Sequence, residues 1–458
     1  MAITAPPATI FKAYDIRGIY GEEIDAATAH LIGRAFARVL ARLRGKDASE
    51  LRVGLGRDMR LSAPEMSASV RTGLVEEGVS VIDAGQIATE MSYFLVGSRE
   101  LDGGAMVTAS HNPKAYTGVK LLREGALALS GDAGIEDVRA EIEAGLPDAP
   151  GGGSVEEIDI YRDFHEHMLS IVDGDAIGPL RVLADGSDGM AGPMVGPLLE
   201  RLNLEVTTSR WVPNGDFPDV GPNPLLEENR RLIVEQVRRA PVDLAIAWDG
   251  DADRCFFLDS DANFCDGDFV CALLARAVLA KQPGATILYD PRSSRAVPDT
   301  VAAAGGKSDL SRVGHAFFKI RMRETGAAFG GEVSGHYYFR DFYCADSGTL
   351  PALHMLELVS REARPLSELM AEFRSRYFIS GEINSEVEDQ EGKMSEIAER
   401  YADGEISWLD GVSVDYPDWH FNVRPSNTEP LLRLNLESLV SPDDMERKRD
   451  EVLELIRS

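Results

Sequence analysis

Apolar residues in the first half of the chain fall into two textures, short unbroken runs and stretches that repeat like one face of a helix. Ile24, Ala27, Leu31, Ala35, Val39 and Leu43 have the second spacing and predict an amphipathic helix over 24–43. Leu51 to Gly56 is a short apolar run and reads as a strand. Ser62-Ala63-Pro64-Glu65 then has the form of a capping box with Pro near the helix start; Gly78 closes that helix before the strand-like Val79-Ser80-Val81-Ile82. Strand, helix and strand in this order are βαβ grammar. A further strand over 103–107 delivers Ser110 to a loop beyond its carboxyl end, where open α/β sheets place ligand chemistry.

The same rhythm returns twice. A strand over 180–183 leads into Asp185-Gly186-Ser187-Asp188-Gly189, and a buried-type strand over 242–248 ends at Asp249. Beyond it, 285–289 reads as a strand, and 295–304 and 315–325 read as helices. The flexible run Ala149-Pro150-Gly151-Gly152-Gly153-Ser154 marks the approach to a boundary. After about residue 370 the texture becomes polar and alternating; Leu432 to Leu436 reads as a half-buried strand, and Ser441-Pro442-Asp443-Asp444 caps a closing helix. The expected fold is α/β with mixed sheets in three related domains, 1–153, 154–255 and 256–370, followed by an α+β domain over 371–458.

Composition narrows the function. With 44% hydrophobic and 27% charged residues the chain is globular, and no apolar stretch approaches the ~20 residues that a spanning helix needs. The N-terminal residues lack a basic, then apolar, secretory pattern, so a cytoplasmic location is expected. Cys255, Cys265, Cys271 and Cys344 include no C-x-x-C pair and are too sparse for a disulfide framework or a zinc site. A net charge of -29 disfavours nucleic acid and anionic membrane surfaces as partners. A phosphate ligand would therefore need local positive potential from Arg, Lys, a metal ion or helix N-termini.

Four runs carry candidate chemistry. Thr108-Ala109-Ser110-His111-Asn112-Pro113 sets the Ser110 hydroxyl between a strand-like segment and a helix-breaking Pro, as a candidate phosphate carrier or an ordinary turn residue; it is no hydrolase elbow, because Thr108 and Asn112 stand where G-x-S-x-G needs glycine. Neighbouring side chains in an extended segment point apart, so His111 is expected to orient the loop or contact phosphate rather than deprotonate Ser110. Asp249, Asp251 and Asp253 alternate, which in an extended segment places three carboxylates on one face, an oxygen-only set suited to Mg²⁺. An EF-hand is excluded, since the sixth position is Arg254 and the twelfth is Ser260; a solvated acidic turn is the plain alternative. In Gly331-Glu332-Val333-Ser334-Gly335-His336, Glu332 and Ser334 could grip vicinal sugar hydroxyls or be ordinary loop residues. Arg424, Ser426, Asn427 and Thr428 combine a planar cation with hydroxyl and amide donors, a mix that suits a phosphate dianion as well as a Pro-flanked turn. Lys120 reads either as a strand residue snorkelling to solvent or as a site cation.

Together with the opening Phe11-Lys12-Ala13-Tyr14-Asp15-Ile16-Arg17-Gly18, these runs resemble the α-D-phosphohexomutase superfamily, in particular its bacterial phosphomannomutase/phosphoglucomutase branch, over nearly the whole chain. The resemblance implies four domains around a central cleft. It implies Ser110 as phosphate carrier, with Asp249, Asp251 and Asp253 binding Mg²⁺ together with the phosphate of Ser110. Arg424, Ser426, Asn427 and Thr428, with Tyr14, would hold the non-reacting phosphate of the substrate. Glu332 and Ser334 would grip the sugar, with His315, His336 and Arg292 beside them, and Arg17, His111, Lys120 and Arg254 would serve charge stabilisation or proton transfer. Lys120 is the implied proton acceptor if a cation such as Arg17 depresses its pKa, with His336 as runner-up. The implied reaction is reversible phosphoryl transfer between C1 and C6 of mannose or glucose phosphates through a hexose 1,6-bisphosphate, by a monomer or weak dimer. Arg292 and Val333 depart from the Lys and Met common in relatives. Phosphoglucosamine mutase, a Mg²⁺-dependent sugar phosphatase and a non-catalytic sugar-phosphate sensor are the alternatives.

Overall fold

The first helical stripe forms Ala26–Arg44, started by Asp25, whose side chain accepts from the Thr28 amide at 2.8 Å. Ile24, Leu31, Ala35 and Val39 enter the core, whereas Ala27 and Leu43 are exposed. The next helix, Ala63–Glu76, lacks the expected capping box. Ser62 already has helical backbone angles and makes no cap bond, and the Glu65 carboxylate instead accepts from the Tyr20 hydroxyl. This computed structural model describes residues 6–12, 14–130, 134–426 and 430–458. It divides into two units, Met1–Phe264 with His336–Ala363, and Cys265–Gly335 with Arg364–Ser458.

In the first unit, β1 (Ile16–Ile19), β2 (Arg52–Arg57), β3 (Ser80–Gln86), β4 (Gly103–Val107), β5 (Tyr116–Arg123), β6 (Leu127–Ala128) and β7 (Ser154–Glu157) form one mixed sheet. Its order is β1-β5-β4-β2-β3-β7, with β6 pairing β5. The parallel strands β4, β2 and β3 are the βαβ units expected from the sequence, while β5 returns antiparallel to β4 and brings Lys120 opposite Met106. The strand that follows the glycine run, β7, pairs with β3 and extends this first sheet. A second sheet contains β8 (Leu180–Asp185), β9 (Leu204–Ser209), β10 (Leu244–Trp248) and β11 (Cys255–Asp259) in the order β11-β10-β8-β9. Every residue of β10 is buried, as its unbroken apolar run requires, and β10 and β11 form an antiparallel hairpin whose connection carries the three aspartates.

In the second unit, Thr286–Tyr289 lies between the parallel strands Lys307–Leu310 and Phe329–Gly331. The C-terminal sheet is antiparallel: Phe378–Ile379 and Ile383–Glu386 pair with Leu431–Ser438, followed by Trp419–Pro425, Val412–Asp415 and Glu405–Ser407. Helices Gln390–Arg400 and Pro442–Arg457 bury Ile397, Val452 and Ile456 against it. Ser441 caps the closing helix as expected, accepting from the Asp444 amide at 3.1 Å. All four cysteines are buried and none is in a disulfide among the described residues. Among the described residues no helix is long and apolar enough to cross a membrane.

Two packing details position the loops of the first unit. The helices Ala26–Arg44 and Ala63–Glu76 meet at Gly73, where an added Cβ would stand 2.3 Å from the His30 carbonyl oxygen. Glu90, fully buried, accepts from the Thr349 amide at 3.0 Å and its hydroxyl at 2.6 Å, and from the Ser347 hydroxyl. It thereby fixes the start of helix Thr349–Glu362, directly after the hairpin that carries His336 and Asp346. Burial pushes Glu90 up to about 8, against the pull of the Ser347 and Thr349 hydrogen bonds.

Gly73→Ala is expected to destabilise the protein by ~1–3 kcal/mol through overpacking against backbone, read as a lower midpoint in urea unfolding; an unchanged midpoint would contradict the close contact. The raised Glu90 pKa also sets a sign. Between the unfolded value of 4.5 and about 8 the folded state binds the extra proton, so stability present at low pH is lost as pH rises through that window. Glu90→Gln should flatten the fall in unfolding free energy between pH 5 and 8, and an unaltered slope would show that Glu90 ionises as readily folded as unfolded.

Candidate functional site

Ser110 follows β4 with φ of +49°, a left-handed conformation that residues other than glycine adopt rarely. Several bonds hold it there. The Ser110 amide donates to the Thr108 hydroxyl at 2.9 Å, and one buried guanidinium, Arg60, donates to the carbonyls of Ser110 and Asn112 at 2.7 Å, Pro113 at 3.0 Å and Tyr116 at 3.1 Å. Asp58, buried with it, lies 3.3 Å from Arg60 Nε. The sequence reading missed this anchor; its signal was the pair of charged residues Asp58 and Arg60 directly behind an apolar strand.

The left-handed turn also overturns the expectation that Ser110 and His111 point apart, which assumed extended backbone. His111 Nδ1 lies 3.3 Å from Ser110 Oγ. Burial, followed by the charges of Arg254 and Arg17, holds the His111 pKa well below the ordinary histidine value.

The three aspartates converge by a turn rather than by alternation along a strand. The loop leaves β10 at Trp248, passes through Ala252 at φ of +59°, and enters β11 at Cys255. Glycine is needed at 250 because a Cβ there would stand 2.7 Å from the Ser110 carbonyl oxygen, so the two loops touch through backbone. Ser110 Oγ donates to Asp249 Oδ2 at 3.0 Å; Arg254 Nη2 lies 3.2 Å from Ser110 Oγ and 2.7 Å from Asp249 Oδ2. Lys120 donates to Asp251 Oδ2 at 2.8 Å and Asp253 Oδ2 at 2.5 Å, and Thr89 and Thr108 donate to Asp251 Oδ2 at 2.5 and 3.2 Å. Lys120 thus turns its ammonium onto carboxylates and does not snorkel.

These neighbours set the charges. Burial, reinforced by Asp253 and Asp251, pushes Asp249 up to about 7 against the pull of Arg254. At Asp251 burial acts in the same direction but Lys120 and the Thr89 hydroxyl outweigh it, and they hold this carboxyl well below the usual range. Lys120 is likewise raised: burial opposes its charge, and Asp251 and Asp253 more than offset that. The condition under which Lys120 would accept a proton, depression by Arg17, is therefore not met, because the groups against its ammonium are anions.

Ligand oxygens of Asp249, Asp251 and Asp253 lie within 4.8 Å of one another. Asp251 Oδ1 and Asp253 Oδ1 are buried and accept no hydrogen bond among the described residues. An all-oxygen donor set with free acceptor atoms fits a hard divalent cation, so the cluster could hold a metal. Arg17 on β1 reaches the same loop, donating to Asn112 Oδ1 at 2.6 Å and pairing with Asp15, while Tyr14 sits in the bend before β1. His336 Nε2 lies 3.9 Å from Asp253 Oδ1.

In the second unit, Arg292 is buried and gripped by Asp290 through Nε to Oδ1 and Nη2 to Oδ2, each 2.9 Å. Glu332 lies 3.5 Å from Arg292 and accepts at 2.9 Å from the amide of Gly314, the residue before helix His315–Thr325. His315 opens that helix, and Ser334 follows Glu332 in the turn, half-buried. Arg424, near the end of strand Trp419–Pro425, is buried and lies 3.3 Å from Glu382; burial and then the Arg292 charge lower its pKa. Arg433 lies opposite Arg424 on the next strand and donates to Ser426 Oγ at 3.4 Å. Asn427 and Thr428 lie outside the described residues. Arg433 and Glu382 were not read from the sequence, although the alternation of Leu432 to Leu436 already set Arg433 on the polar face.

Models of the phosphoglucomutase/phosphomannomutase family match the chain in order: alpha/beta/alpha domain I over residues 8–146, domain II over 162–262, domain III over 266–377 and the C-terminal domain over 382–455. The expected four-domain fold, three α/β domains and a C-terminal one, is thereby borne out. The chain is 40% identical over 450 residues to a protein of Xanthomonas campestris pv. campestris named "Phosphohexose mutases", covering 98% of this chain and 99% of that one. It is 39% identical over 460 residues to a phosphomannomutase of Escherichia coli, with coverage of 98% and 99%. Among solved structures, a phosphoglucomutase/phosphomannomutase family protein from Burkholderia thailandensis superposes with a TM-score of 0.90 at 32% identity, covering 98% and 97% of the two chains. Similarity of this depth along the entire length means that the chain belongs to the phosphoglucomutase/phosphomannomutase family.

Proposed function

We propose that the protein is a phosphohexomutase that moves a phosphoryl group between C1 and C6 of mannose and glucose phosphates. The observation that carries this reading is Ser110 Oγ, 3.0 Å from Asp249 and 3.2 Å from Arg254, on a loop locked by Arg60. A nucleophile so placed has the Arg254 guanidinium beside it, a cation that can neutralise charge on a transferring phosphoryl group. In the forward step the bond between phosphorus and Ser110 Oγ breaks as the free sugar hydroxyl bonds to phosphorus, giving a hexose 1,6-bisphosphate. That intermediate turns end for end, and its other phosphate returns to Ser110.

Asp249, Asp251 and Asp253, with the phosphate of Ser110, would hold Mg²⁺, which supplies charge neutralisation at the phosphoryl oxygens when bound. Arg254 and Lys120 add fixed positive charge. Lys120 is engaged by two carboxylates, so the proton of the attacking hydroxyl goes to His336, the imidazole beside Asp253. Arg17 orients the Ser110 loop through Asn112. In the second unit, Glu332 and Ser334 take sugar hydroxyls with His315 and Arg292 beside them, while Arg424, Ser426, Asn427 and Thr428 take the phosphate that does not react. Hexose 1,6-bisphosphate serves as both intermediate and activator. We take the domains to be the four expected ones, with the boundary at 153 moved beyond β7, which extends the first sheet, and the boundary at 255 moved beyond β11, which belongs to the second sheet. We also take the protein to be a cytoplasmic monomer or weak dimer, and to lack nucleic-acid and membrane partners; the net charge of -29 supports the last of these, since it repels polyanions.

Purified enzyme with Mg²⁺ and a trace of sugar bisphosphate should isomerise glucose 1-phosphate and mannose 1-phosphate, with glucosamine 1-phosphate the poorer substrate. Ser110→Ala should lower kcat on the order of 10³-fold or more. Net phosphate release without isomerisation would overturn the mutase reading, and dominant turnover of glucosamine 1-phosphate would overturn the choice of sugar.

A further inference from the structure

Arg424 and Arg433 are register partners on adjacent antiparallel strands, so two guanidinium groups stand directly across from each other on one face of the C-terminal sheet. Like charges in that arrangement repel. Glu382 relieves the repulsion: it accepts from Arg424 Nη2 at 3.3 Å and Arg433 Nη1 at 3.2 Å, and lies 3.8 Å from Arg292 Nη1. Its place is set by the chain, because the strands on either side of it, Phe378–Ile379 and Ile383–Glu386, both pair with the strand that carries Arg433.

The hold is loose. Each arginine gives Glu382 a single nitrogen, at distances beyond the 2.7–2.9 Å usual for charge-assisted bonds, whereas Asp290 grips Arg292 through two bonds of 2.9 Å. Arg424 Nε and Arg433 Nε are buried and have no acceptor among the described residues. Both forks therefore keep donors that one carboxylate leaves unused. A phosphate dianion brings about twice the charge of a carboxylate and three acceptor oxygens, enough to engage both forks.

We propose that Glu382 is a resident counter-anion of the Arg424 and Arg433 pair, which the non-reacting phosphate of the substrate displaces on binding and which reclaims the arginines when that phosphate leaves. This deepens the phosphate-loop assignment made above and rests on it. The role matters for a mutase in particular. The bisphosphate must release this loop to turn end for end, then be gripped again by its other phosphate. An internal anion lowers the cost of release, because the arginines exchange one partner for another rather than being left facing each other. Glu382 is a positioning residue: it sets the grip on phosphate and touches no reacting atom.

The test uses the full-length enzyme with Glu382→Gln, which keeps shape and removes charge. The KM for glucose 1-phosphate and the inhibition constant of inorganic phosphate should both fall about three- to tenfold, and kcat should fall because release slows. A folded Glu382→Gln enzyme whose KM is unchanged or higher overturns the proposal. Should that variant fail to fold, Glu382→Asp, which withdraws the charge by one methylene, is expected to shift KM the same way by a smaller factor; an unchanged or higher KM there overturns the proposal equally. Arg424→Ala separates the two layers. If it leaves KM unchanged, the phosphate-loop assignment falls; if it raises KM while folded Glu382→Gln does not lower it, only the counter-anion is overturned.

Discussion

Three carboxylates buried in one six-residue loop are the constraint on which the first unit depends. Asp249, Asp251 and Asp253 could not share that space without cations, and the structure supplies Arg254 and Lys120 from different elements to neutralise them. Arg254 comes from the loop itself, whereas Lys120 requires β5 to run antiparallel beside β4. The electrostatic demand of the loop is thus met only when both sheets of the unit are formed. Ser110 lies within this network, so its hydroxyl is fixed by the same charges that the aspartates need.

Backbone, more than side chains, sets the geometry around that network. Arg60 spends its donors on four carbonyls of the Ser110 loop, a use of guanidinium that fixes a conformation rather than binding a ligand. Gly250 lets the aspartate loop approach the Ser110 carbonyl without a side chain between them. Glu90, far from either loop in sequence, ties the start of helix Thr349–Glu362 and with it the hairpin bearing His336. The second unit handles its charges differently: Asp290 commits to Arg292 through two bonds, while Glu382 is divided between Arg424 and Arg433.

Much of this was legible in the sequence because it depends on local pattern. The strand over 103–107 and the helix over 315–325 fall where apolar runs and helical spacing put them, and the Ser441 cap forms as its residues require. Each of the four motif runs by itself was also compatible with an ordinary turn or loop, and it was their resemblance as an ordered set to the α-D-phosphohexomutase superfamily that pointed to phosphate chemistry. What was not legible depends on non-local contacts or backbone sign. Strand alternation implied the wrong geometry for Asp249 to Asp253 and for Ser110 beside His111, since positive φ values at Ser110 and Ala252 break the period on which alternation rests. The Ser62 capping box failed because Tyr20, far away in the chain, takes Glu65. The neighbours of Lys120 and the partnership of Arg433 with Glu382 likewise exist only once strands are paired.

The central claim is that Ser110 is the phosphate carrier, and it is tested most directly by intact mass measurement and phosphosite mapping after incubation with glucose 1,6-bisphosphate and Mg²⁺. The account predicts a single added phosphoryl group, located on Ser110 and lost when glucose 1-phosphate is supplied in excess without bisphosphate. Phosphate on another residue, or none on active enzyme, would contradict it.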